Sequence, residues 1–396
     1  MGSFLSILID TTILAIIVYS QWQLGRAFSS YAARRFRSTW NCWLRWLPIA
    51  LGAALLFGFL LSYSPVSEIV PDFRMRRSTP LRMAAALWAF AATGAYLVYR
   101  ICRLFAPQVA GFDASRRKLV QAAGSAVVAA PFAVLAYGAL VERTAFRVRE
   151  IAIPVSHLPP DLEGLRLLQL SDIHLSPFLS ESELARVIDT SNELRPHVAL
   201  ITGDLISTRG DPLDACLRQL ARLRVDSEVL GCLGNHEIYA DAERETAARG
   251  ARLGIRFLRN QARPLRFGSS LLNFVGVDYQ RLALRPRYLE GAERLVAPGA
   301  LNVLLSHNPD VFPEAVEKGY DLLVAGHTHG GQVTVEILHQ TLNMARFFTP
   351  FVYGLYHLQR GGHTASAYVT RGVGTIGVPA RIGAPPEIAL MRLTRA

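Results

Sequence analysis

The chain of 396 residues has little lysine, little cysteine and no internal repeat. Lys118 and Lys318 are the only lysines among its 42 basic residues, so arginine supplies almost all of the positive charge, a composition that suggests a high-GC bacterial source. Its four cysteines are scattered along the chain, which argues against a disulfide framework. Without repeats or low-complexity tracts, a repeat architecture is excluded as well. Long apolar segments are what the sequence has in excess.

Four apolar stretches of about twenty residues occupy the first 142 residues. Each is long enough to cross a bilayer, and arginines, tryptophans and tyrosines lie near the ends, as in membrane helices. The first stretch has little positive charge before it and no small-residue cleavage site, so we expect it to stay as an anchor. The predicted helices cover about residues 4–24, 44–64, 81–101 and 119–140.

Basic residues are distributed unequally between the predicted loops. The loops after the first and third helices carry ten basic residues, and the opposite side carries seven. By the positive-inside rule the richer side is cytoplasmic. We therefore predict a multi-pass protein of the bacterial inner membrane whose C-terminal part lies on the outer, periplasmic face. The small bias leaves the reverse orientation open.

The net positive charge of the chain comes entirely from its first 150 residues. The net charge is +11, and residues 1–150 hold seventeen Lys and Arg against six Asp and Glu, so the remainder is neutral. An enzyme of duplex nucleic acid would be expected to have a basic excess in its catalytic part. Nucleic acid is therefore an unlikely partner, and the basic excess fits contact with anionic membrane lipids.

Five short polar motifs follow apolar, strand-like runs in the second half of the chain. Strand ends are where α/β proteins place their ligands. Aspartate, histidine and asparagine side chains that converge there can hold two metal ions when one ligand is shared. The motifs are Ser171-Asp172-Ile173-His174, Thr202-Gly203-Asp204, Gly234-Asn235-His236-Glu237, Ser306-His307-Asn308 and Gly326-His327-Thr328-His329-Gly330-Gly331.

The order and spacing of these motifs resemble the calcineurin-like metallophosphoesterase superfamily over roughly residues 160–396. The resemblance implies an α/β fold, a four-layer αββα sandwich, with two divalent metal ions. Manganese is the first expectation, and iron or zinc would suit the same oxygen and imidazole ligands. By motif, one metal would be held by Asp172, His174, Asp204 and His329, and the other by Asp204, Asn235, His307 and His327, with Asp204 as the bridge.

The resemblance also implies a hydrolytic mechanism. A water that bridges two metals about 3.5 to 4 Å apart loses a proton easily and attacks phosphorus in line. His236 is expected not to bind metal but to stabilise or protonate the leaving oxygen. Glu237 would orient His236 or cap the helix that begins there. The five histidines outside the motifs are interpreted as surface or hydrogen-bonded structural residues.

The predicted organisation is a membrane region over residues 1–142, a linker with the first strand over 143–160, and a phosphoesterase domain over 161–396. Helices in that domain are predicted near 181–194, 212–224, 241–253 and 310–318. Some of the motifs are preceded by strand-like runs that were described above. Further strands are predicted near residues 228–233, 255–258, 271–277, 321–325, 332–337, 365–371 and 387–393.

Helices followed by this domain resemble the membrane-associated bacterial branch of the superfamily. That resemblance implies a phosphodiesterase acting on cell-envelope or lipid-linked phosphoesters. One alternative is a cytoplasmic-face pyrophosphatase of a nucleotide-linked glycolipid precursor, and another is a non-catalytic membrane sensor. The sensor is disfavoured because every ligand position is filled and the spans, apart from Asp10, are nearly free of ionisable residues.

The segment Arg346–Tyr356 is unusually aromatic for a loop. In a membrane-tethered enzyme it could dip into the lipid interface or line a groove for an acyl chain. Packing between the layers of the domain is an equal alternative.

Overall fold

The computed structural model describes residues 2–35, 46–63, 79–105, 114–280, 287–337 and 340–396. The chain divides into two compact units, Met1–Leu140 and Val141–Ala396.

Four helices, one over each predicted apolar stretch, make up the described part of the N-terminal unit. Two described stretches, Met83–Leu104 and Ala122–Thr144, are long and apolar enough to cross a membrane, and Leu47–Leu60 is a shorter apolar helix. The predicted spans at 4–24 and 44–64 therefore stay predictions, and residues 44 and 45 lie outside the described part of the chain. The helices are α1 (Gly2–Arg35), α2 (Leu47–Tyr63), α3 (Thr79–Phe105) and α4 (Ala114–Leu140).

Small side chains on α3 allow its neighbours to approach closely. Ala85, Ala86 and Ala89 are fully buried and form one cluster with Ile17 of α1 and Phe59 of α2. Small residues at such contacts let helix backbones come together, which is the packing typical of membrane helices.

The C-terminal unit alternates strands and helices. Its helices are α5 (Glu181–Glu193), α6 (Leu213–Leu220), α7 (Asn235–Tyr239), α8 (Glu243–Arg252) and α9 (Phe312–Glu317). Its strands are β1 (Arg147–Val155), β2 (Arg166–Leu170), β3 (Val198–Thr202), β4 (Val229–Cys232), β5 (Ile255–Phe257), β6 (Gln261–Phe267), β7 (Ser270–Gly276), β8 (Leu301–Leu305), β9 (Leu322–Ala325), β10 (Thr334–Ile337), β11 (Gln340–Asn343), β12 (Gly354–Arg360), β13 (His363–Val369) and β14 (Glu387–Arg395).

Two six-stranded sheets form the centre of this unit. The first has the order β1-β14-β2-β3-β4-β5 and the second the order β12-β13-β9-β8-β7-β6, while β10 and β11 form a separate hairpin. In the first sheet β2, β3, β4 and β5 run parallel, and in the second β7, β8, β9 and β13 do so. Strands such as β3 are buried along their whole length, as expected of parallel strands covered on both faces.

Three apolar cores separate four layers. The first core joins the apolar faces of α5 and α6 to one face of the first sheet. The second lies between the sheets, where Leu167, Leu200 and Leu230 of the first sheet meet Val303 and Leu322 of the second. The third packs α9 against the outer face of the second sheet. This is the helix-sheet-sheet-helix order that the motifs implied.

Local sequence signals account for most element boundaries. Ser180 begins α5 with a capping box, because its side chain accepts a bond from the Glu183 amide while the Glu183 carboxylate accepts from the Ser180 amide. The prediction of a helix over 212–224 was too long, since α6 ends at Leu220.

The sequence analysis missed β6, β11 and β12. Strand β11 pairs with β10 in the separate hairpin. Strands β6 and β12 are edge strands of the second sheet, and both are largely exposed or half-buried along their length. Pro264 lies within β6, where an edge position tolerates a residue that lacks an amide hydrogen. Edge strands carry a weaker apolar pattern than central ones, so their sequence signal was lost.

The core between the two sheets sets the stability of this unit. Leu393 is fully buried in it, and the Leu393→Ala substitution is expected to cost about 3 kcal/mol and to lower the unfolding midpoint by roughly 6 to 12 °C. Far-UV circular dichroism or protease resistance of the detergent-solubilised protein during heating measures this. Leu253→Ala, at a position 41% exposed, is the matched control and should leave the midpoint nearly unchanged. Equal shifts for both variants would contradict the assignment of this core.

Candidate metal centre

The five motifs all lie at the carboxyl ends of central strands. Asp172 and His174 follow β2, Asp204 follows β3, and Asn235 begins α7 directly after β4. In the second sheet His307 follows β8, and His327 and His329 follow β9. Because neighbouring parallel strands end at one edge of a sheet, the topology brings these loops together. The structure thus gathers every residue that the motifs nominated as a ligand.

Two separate clusters of three potential ligands are present among the described residues, and a third group, His174, Asp204 and His236, overlaps both of them. Asp172, His174 and His329 form one, and the ligand atoms within each cluster lie within 4.8 Å of one another. His329 Nε2 is 3.4 Å from Asp172 Oδ1 and 3.1 Å from His174 Nε2. All three side chains are buried. This cluster has the oxygen and imidazole donors that a divalent metal needs.

The second cluster consists of Asp204, His307 and His327. The Nε2 atom of His307 is 3.0 Å from Asp204 Oδ2, and His327 Nδ1 is 3.2 Å from His307 Nε2. The same Asp204 Oδ2 is 3.5 Å from His174 Nε2 of the first cluster. One carboxylate therefore faces both clusters, which is the geometry a shared ligand requires.

Second contacts fix the orientation of the imidazoles. His307 Nδ1 donates to the Thr202 carbonyl over 2.6 Å, so its Nε2 is directed to Asp204. His174 Nδ1 is 3.1 Å from Ser207 Oγ, which leaves its Nε2 for the cluster. Bonds of this kind set the tautomer and ring position of histidines that bind metals. The sequence analysis did not single out Ser207.

The backbone of the site is strained at the ligands themselves. Asp172, His174, Asp204, His327 and His329 all have left-handed φ values, between 47° and 76°. Such a conformation costs free energy for a residue with a side chain and persists where the surroundings enforce it, which is common at functional sites.

Gly326 and Gly234 have no side chain, and the space that a side chain would fill is occupied by the carboxylates of Asp172 and Asp204. A Cβ atom on Gly326 would lie 2.0 Å from Ser171 Oγ and 2.4 Å from Asp172 Oδ2, and one on Gly234 would lie 2.1 Å from Asp204 Oδ1. Any larger residue would displace a predicted ligand. The glycines in the motifs are thus explained by close approach.

Glu237 organises the loops that carry Asp204 and Asn235. Its buried carboxylate accepts bonds from the backbone amides of Gly234, Asp204 and Leu205, at 2.7 to 2.9 Å. The bond from Gly234 caps α7, as one of the two sequence interpretations expected. The ring of His236 instead donates through Nδ1 to the Ser207 carbonyl, so no described contact supports the interpretation that Glu237 orients it.

The electrostatics of the site are those of buried groups that lack a compensating cation. Burial lowers the pKa of His174 and of His327 to about 3 and raises that of Asp172. Burial also opposes a charge on His307, but the adjacent Asp204 carboxylate outweighs it and raises the pKa of His307 to about 10. The reciprocal attraction holds the pKa of Asp204 well below its usual range despite burial. His307 and Asp204 thus favour each other's charged forms.

An orphaned polar atom tests whether metals fit these residues. Asn235 Oδ1 is buried without a hydrogen-bond partner among the described residues. An unsatisfied buried amide oxygen costs free energy, and a divalent cation would satisfy it. Together with two carboxylates and four imidazoles, and without a thiolate, the donor set fits two divalent cations.

A buried arginine supports the loops on the far side of the site. Arg381 is fully buried, and its guanidinium donates to the carbonyls of Arg371, Gly372, Gly374, His329 and Ala384. Burial lowers its pKa to about 10. Arginine is rarely buried without a carboxylate partner, so no sequence signal indicated this residue. It links His329 to the 371–374 segment that packs on Asp172.

Aromatic side chains line the remaining sides of the site. Tyr279 lies 5.4 Å from the His327 ring and 6.1 Å from the His307 ring. Tyr239, largely exposed, packs edge-on against His236 at 5.4 Å. The guanidinium of Arg371 lies 4.2 Å from the centre of the Tyr353 ring. Neither tyrosine beside a motif histidine was predicted, although Tyr279 follows the end of β7.

Comparison with known proteins fits this geometry. Residues 165–331 match the family model of the calcineurin-like phosphoesterases. Residues 165–331 form a calcineurin-like phosphoesterase domain. The superfamily recognised from the five motifs is thereby confirmed. The clustered histidines and aspartates all lie within the matched residues.

Relatives of this phosphoesterase occur in animals and bacteria. Two are named transmembrane protein with metallophosphoesterase domain: one of Danio rerio is 34% identical over 278 residues, and one of Bos taurus is 29% identical over 263 residues. The matches cover 67% and 63% of this chain but 61% and 57% of the relatives, so the chain spans about six tenths of their length. An uncharacterized metallophosphoesterase of Bacillus subtilis is 28% identical over 267 residues, covering 65% of this chain and 88% of the relative. Both animal relatives are named as transmembrane proteins, and the described part of this chain has two helices that are long and apolar enough to cross a membrane.

The three hydrogen bonds that backbone amides donate to the Glu237 carboxylate should be necessary for tight metal binding. In the Glu237→Gln variant the side-chain NH2 group would point at backbone N–H groups that need an acceptor. The loops that carry Asp204 and Asn235 would therefore shift. We expect manganese affinity to fall by about ten- to a hundredfold, measured by titration calorimetry of the full-length protein. Glu163→Gln, on the exposed surface, is the control. Unchanged affinity in the Glu237 variant would show that the loops hold their shape without this carboxylate.

Proposed function

We propose that this protein is a membrane-anchored, dinuclear-metal phosphodiesterase that acts on cell-envelope or lipid-linked phosphoesters. The observation that carries the proposal is the position of Asp204, whose Oδ2 faces His307 of one cluster and His174 of the other. A pair of metals sharing that carboxylate suits phosphoester hydrolysis.

The proposed ligand sets follow the two clusters. Asp172, His174 and His329 would hold one metal, and Asn235, His307 and His327 the other, with Asp204 common to both. The unsatisfied Asn235 Oδ1 supports its inclusion. When bound, the metals would neutralise phosphoryl charge and lower the pKa of water between them, and manganese is our first choice.

His236 is proposed as the residue that serves the leaving oxygen. Its Nδ1 donates to the Ser207 carbonyl at 2.6 Å, so its Nε2 is the atom left for substrate. The ring packs edge-on against His174, with the centroids 4.8 Å apart, which places it beside the first cluster. Its ligand atom also lies within 4.8 Å of those of His174 and Asp204, so the assay below must distinguish a role in catalysis from one in metal binding.

The substrate class is proposed from the environment of the site. The neutral charge of residues 151–396 disfavours nucleic acid, while membrane association would bring lipid-linked phosphoesters close to the domain. We place the domain on the periplasmic face of a bacterial inner membrane, because the basic loops favour that orientation. In the opposite orientation, hydrolysis of the pyrophosphate of a nucleotide-linked glycolipid becomes the alternative function. A non-catalytic sensor is disfavoured by the complete ligand set.

Hydrolysis of a generic aryl phosphodiester and of the matching monoester tests the proposal. The metal-stripped full-length protein, resupplied with manganese, should prefer the diester, and Asp204→Asn should abolish both turnover and the second bound metal. His236→Asn should retain metal while turnover falls by about 10²- to 10⁴-fold. His157→Asn is the control, since His157 is exposed and its φ of 59° suits asparagine. Monoester preference would overturn the diester assignment, and metal loss in His236→Asn would overturn its assigned role.

Reporter fusions after Ala396 test the orientation. An alkaline phosphatase fusion is active only when exported, and a green fluorescent protein fused through the same export route is fluorescent only in the cytoplasm. We expect phosphatase activity without fluorescence, because the loops richer in arginine should stay inside. The opposite pattern would place the domain on the cytoplasmic face and favour the glycolipid pyrophosphatase.

A further inference from the structure

The aromatic segment Arg346–Tyr356 divides into a buried half and an exposed half. Phe351 and Tyr356 pack edge-to-face at 5.2 Å against the third core, and Phe351 also contacts Phe312 of α9. Phe347 and Phe348 are 79% and 73% exposed. The packing interpretation therefore holds for the buried half, and the lipid-interface interpretation stays a prediction for the exposed half.

The exposed pair stands out among the described residues of the C-terminal unit. Six large apolar side chains there are exposed, and Phe347 and Phe348 are the two most exposed of them. Single exposed apolar residues are ordinary. Two adjacent phenylalanines at this exposure, however, leave a large apolar area open to solvent. Arg346 beside them is also exposed.

The turn that presents this pair is held at both ends. Before it, Asn343 caps a short helical turn by accepting from the Ala345 amide, and its Nδ2 donates to the Gly330 carbonyl at 2.8 Å. After it, Thr349 donates through Oγ1 to Asp310 and accepts from the Phe351 amide. Anchors on both sides fix the turn, so the exposure is a feature of the fold.

The first anchor also ties the turn to the metal centre. Gly330 follows His329 directly, and the Asn343 side chain is 5% exposed beneath it. Asn343 occupies the space that a side chain on Gly331 would need, with its Oδ1 1.9 Å from the Cβ position. The phenylalanine pair thus projects from a loop bonded to the residue next to a predicted ligand.

We propose that the Phe347–Phe348 turn inserts into the lipid–water interface and delivers the phosphoester of a membrane lipid to the metal centre. The inference rests on the proposed function and specifies how that function would meet its substrate. Aromatic side chains favour the headgroup boundary, and the adjacent Arg346 suits anionic headgroups. Two described helices of the same chain are long and apolar enough to cross a membrane, so a chain anchored by them would work beside lipid. The apolar helices of the chain and the charge of Arg346 therefore favour a lipid surface as the partner of this turn.

Fluorescence of a Phe347→Trp variant reports the location of the turn. All five native tryptophans lie in residues 22–88, so the signal of the wild-type protein can be subtracted. With the full-length protein reconstituted in vesicles of phosphatidylethanolamine and phosphatidylglycerol, we expect the added emission to be blue-shifted and quenched at least about twofold by brominated acyl chains. Leu253→Trp is the matched control and should stay unquenched. Unquenched, water-like emission from position 347 would overturn the inference. Emission that depends on protein density but not on bromination would assign the pair to a second copy and overturn it too.

The consequence for turnover distinguishes this inference from the proposed function. The double variant Phe347→Ser/Phe348→Ser should lose about tenfold or more in hydrolysis of a vesicle-borne phosphodiester while hydrolysing the soluble aryl diester like the wild type. Leu253→Ser should be unchanged on both. If the double variant hydrolysed both substrates as fast as the wild type does, the inference would be rejected and the proposed phosphodiesterase function would stand. A wild-type protein inactive on the soluble diester would reject the proposed function, while the quenching result would stand by itself.

Discussion

The structure depends on the meeting of two sheets at one carboxylate. Asp204 leaves the end of β3 in the first sheet, and His307 leaves the end of β8 in the second, yet their side chains are 3.0 Å apart. This contact is possible because the core between the sheets holds both strand ends at the same level. The Asp204 carboxylate also raises the pKa of His307, so the contact between the two sheets is electrostatic as well as steric.

The site is held mainly by backbone groups. Glu237 gathers three amides, Arg381 gathers five carbonyls, and the predicted ligands themselves adopt left-handed conformations. A buried charge that is satisfied by backbone dipoles fixes loops without competing for the metal. These bonds offset the strain at the five predicted ligands, and they also satisfy the buried charges of Glu237 and Arg381.

Much of the fold and site followed from sequence because the relevant signals were local. The polar motifs after β2, β3, β4, β8 and β9 were recognisable by their residue types, and the central strands by their unbroken apolar runs. The edge strands β6 and β12 were missed because half of each faces solvent. Ser207, Tyr279 and Arg381 were missed since their roles arise from contacts between distant segments, and an isolated serine, tyrosine or arginine has no distinguishing pattern. The aromatic segment could not be divided from sequence, because burial of Phe351 and exposure of Phe347 depend on where α9 lies.

The place of β14 has a consequence for how the protein is made. This strand, Glu387–Arg395, lies between β1 and β2 and pairs with both, parallel to one and antiparallel to the other. During synthesis β1 and β2 emerge some two hundred residues earlier, so the sheet keeps an open gap until this segment leaves the ribosome. The helices of the N-terminal unit are synthesised first, and the unit beyond them closes only after translation has passed residue 395. The synthesis of β14, rather than the appearance of the motifs, therefore sets the moment at which the centre can become rigid.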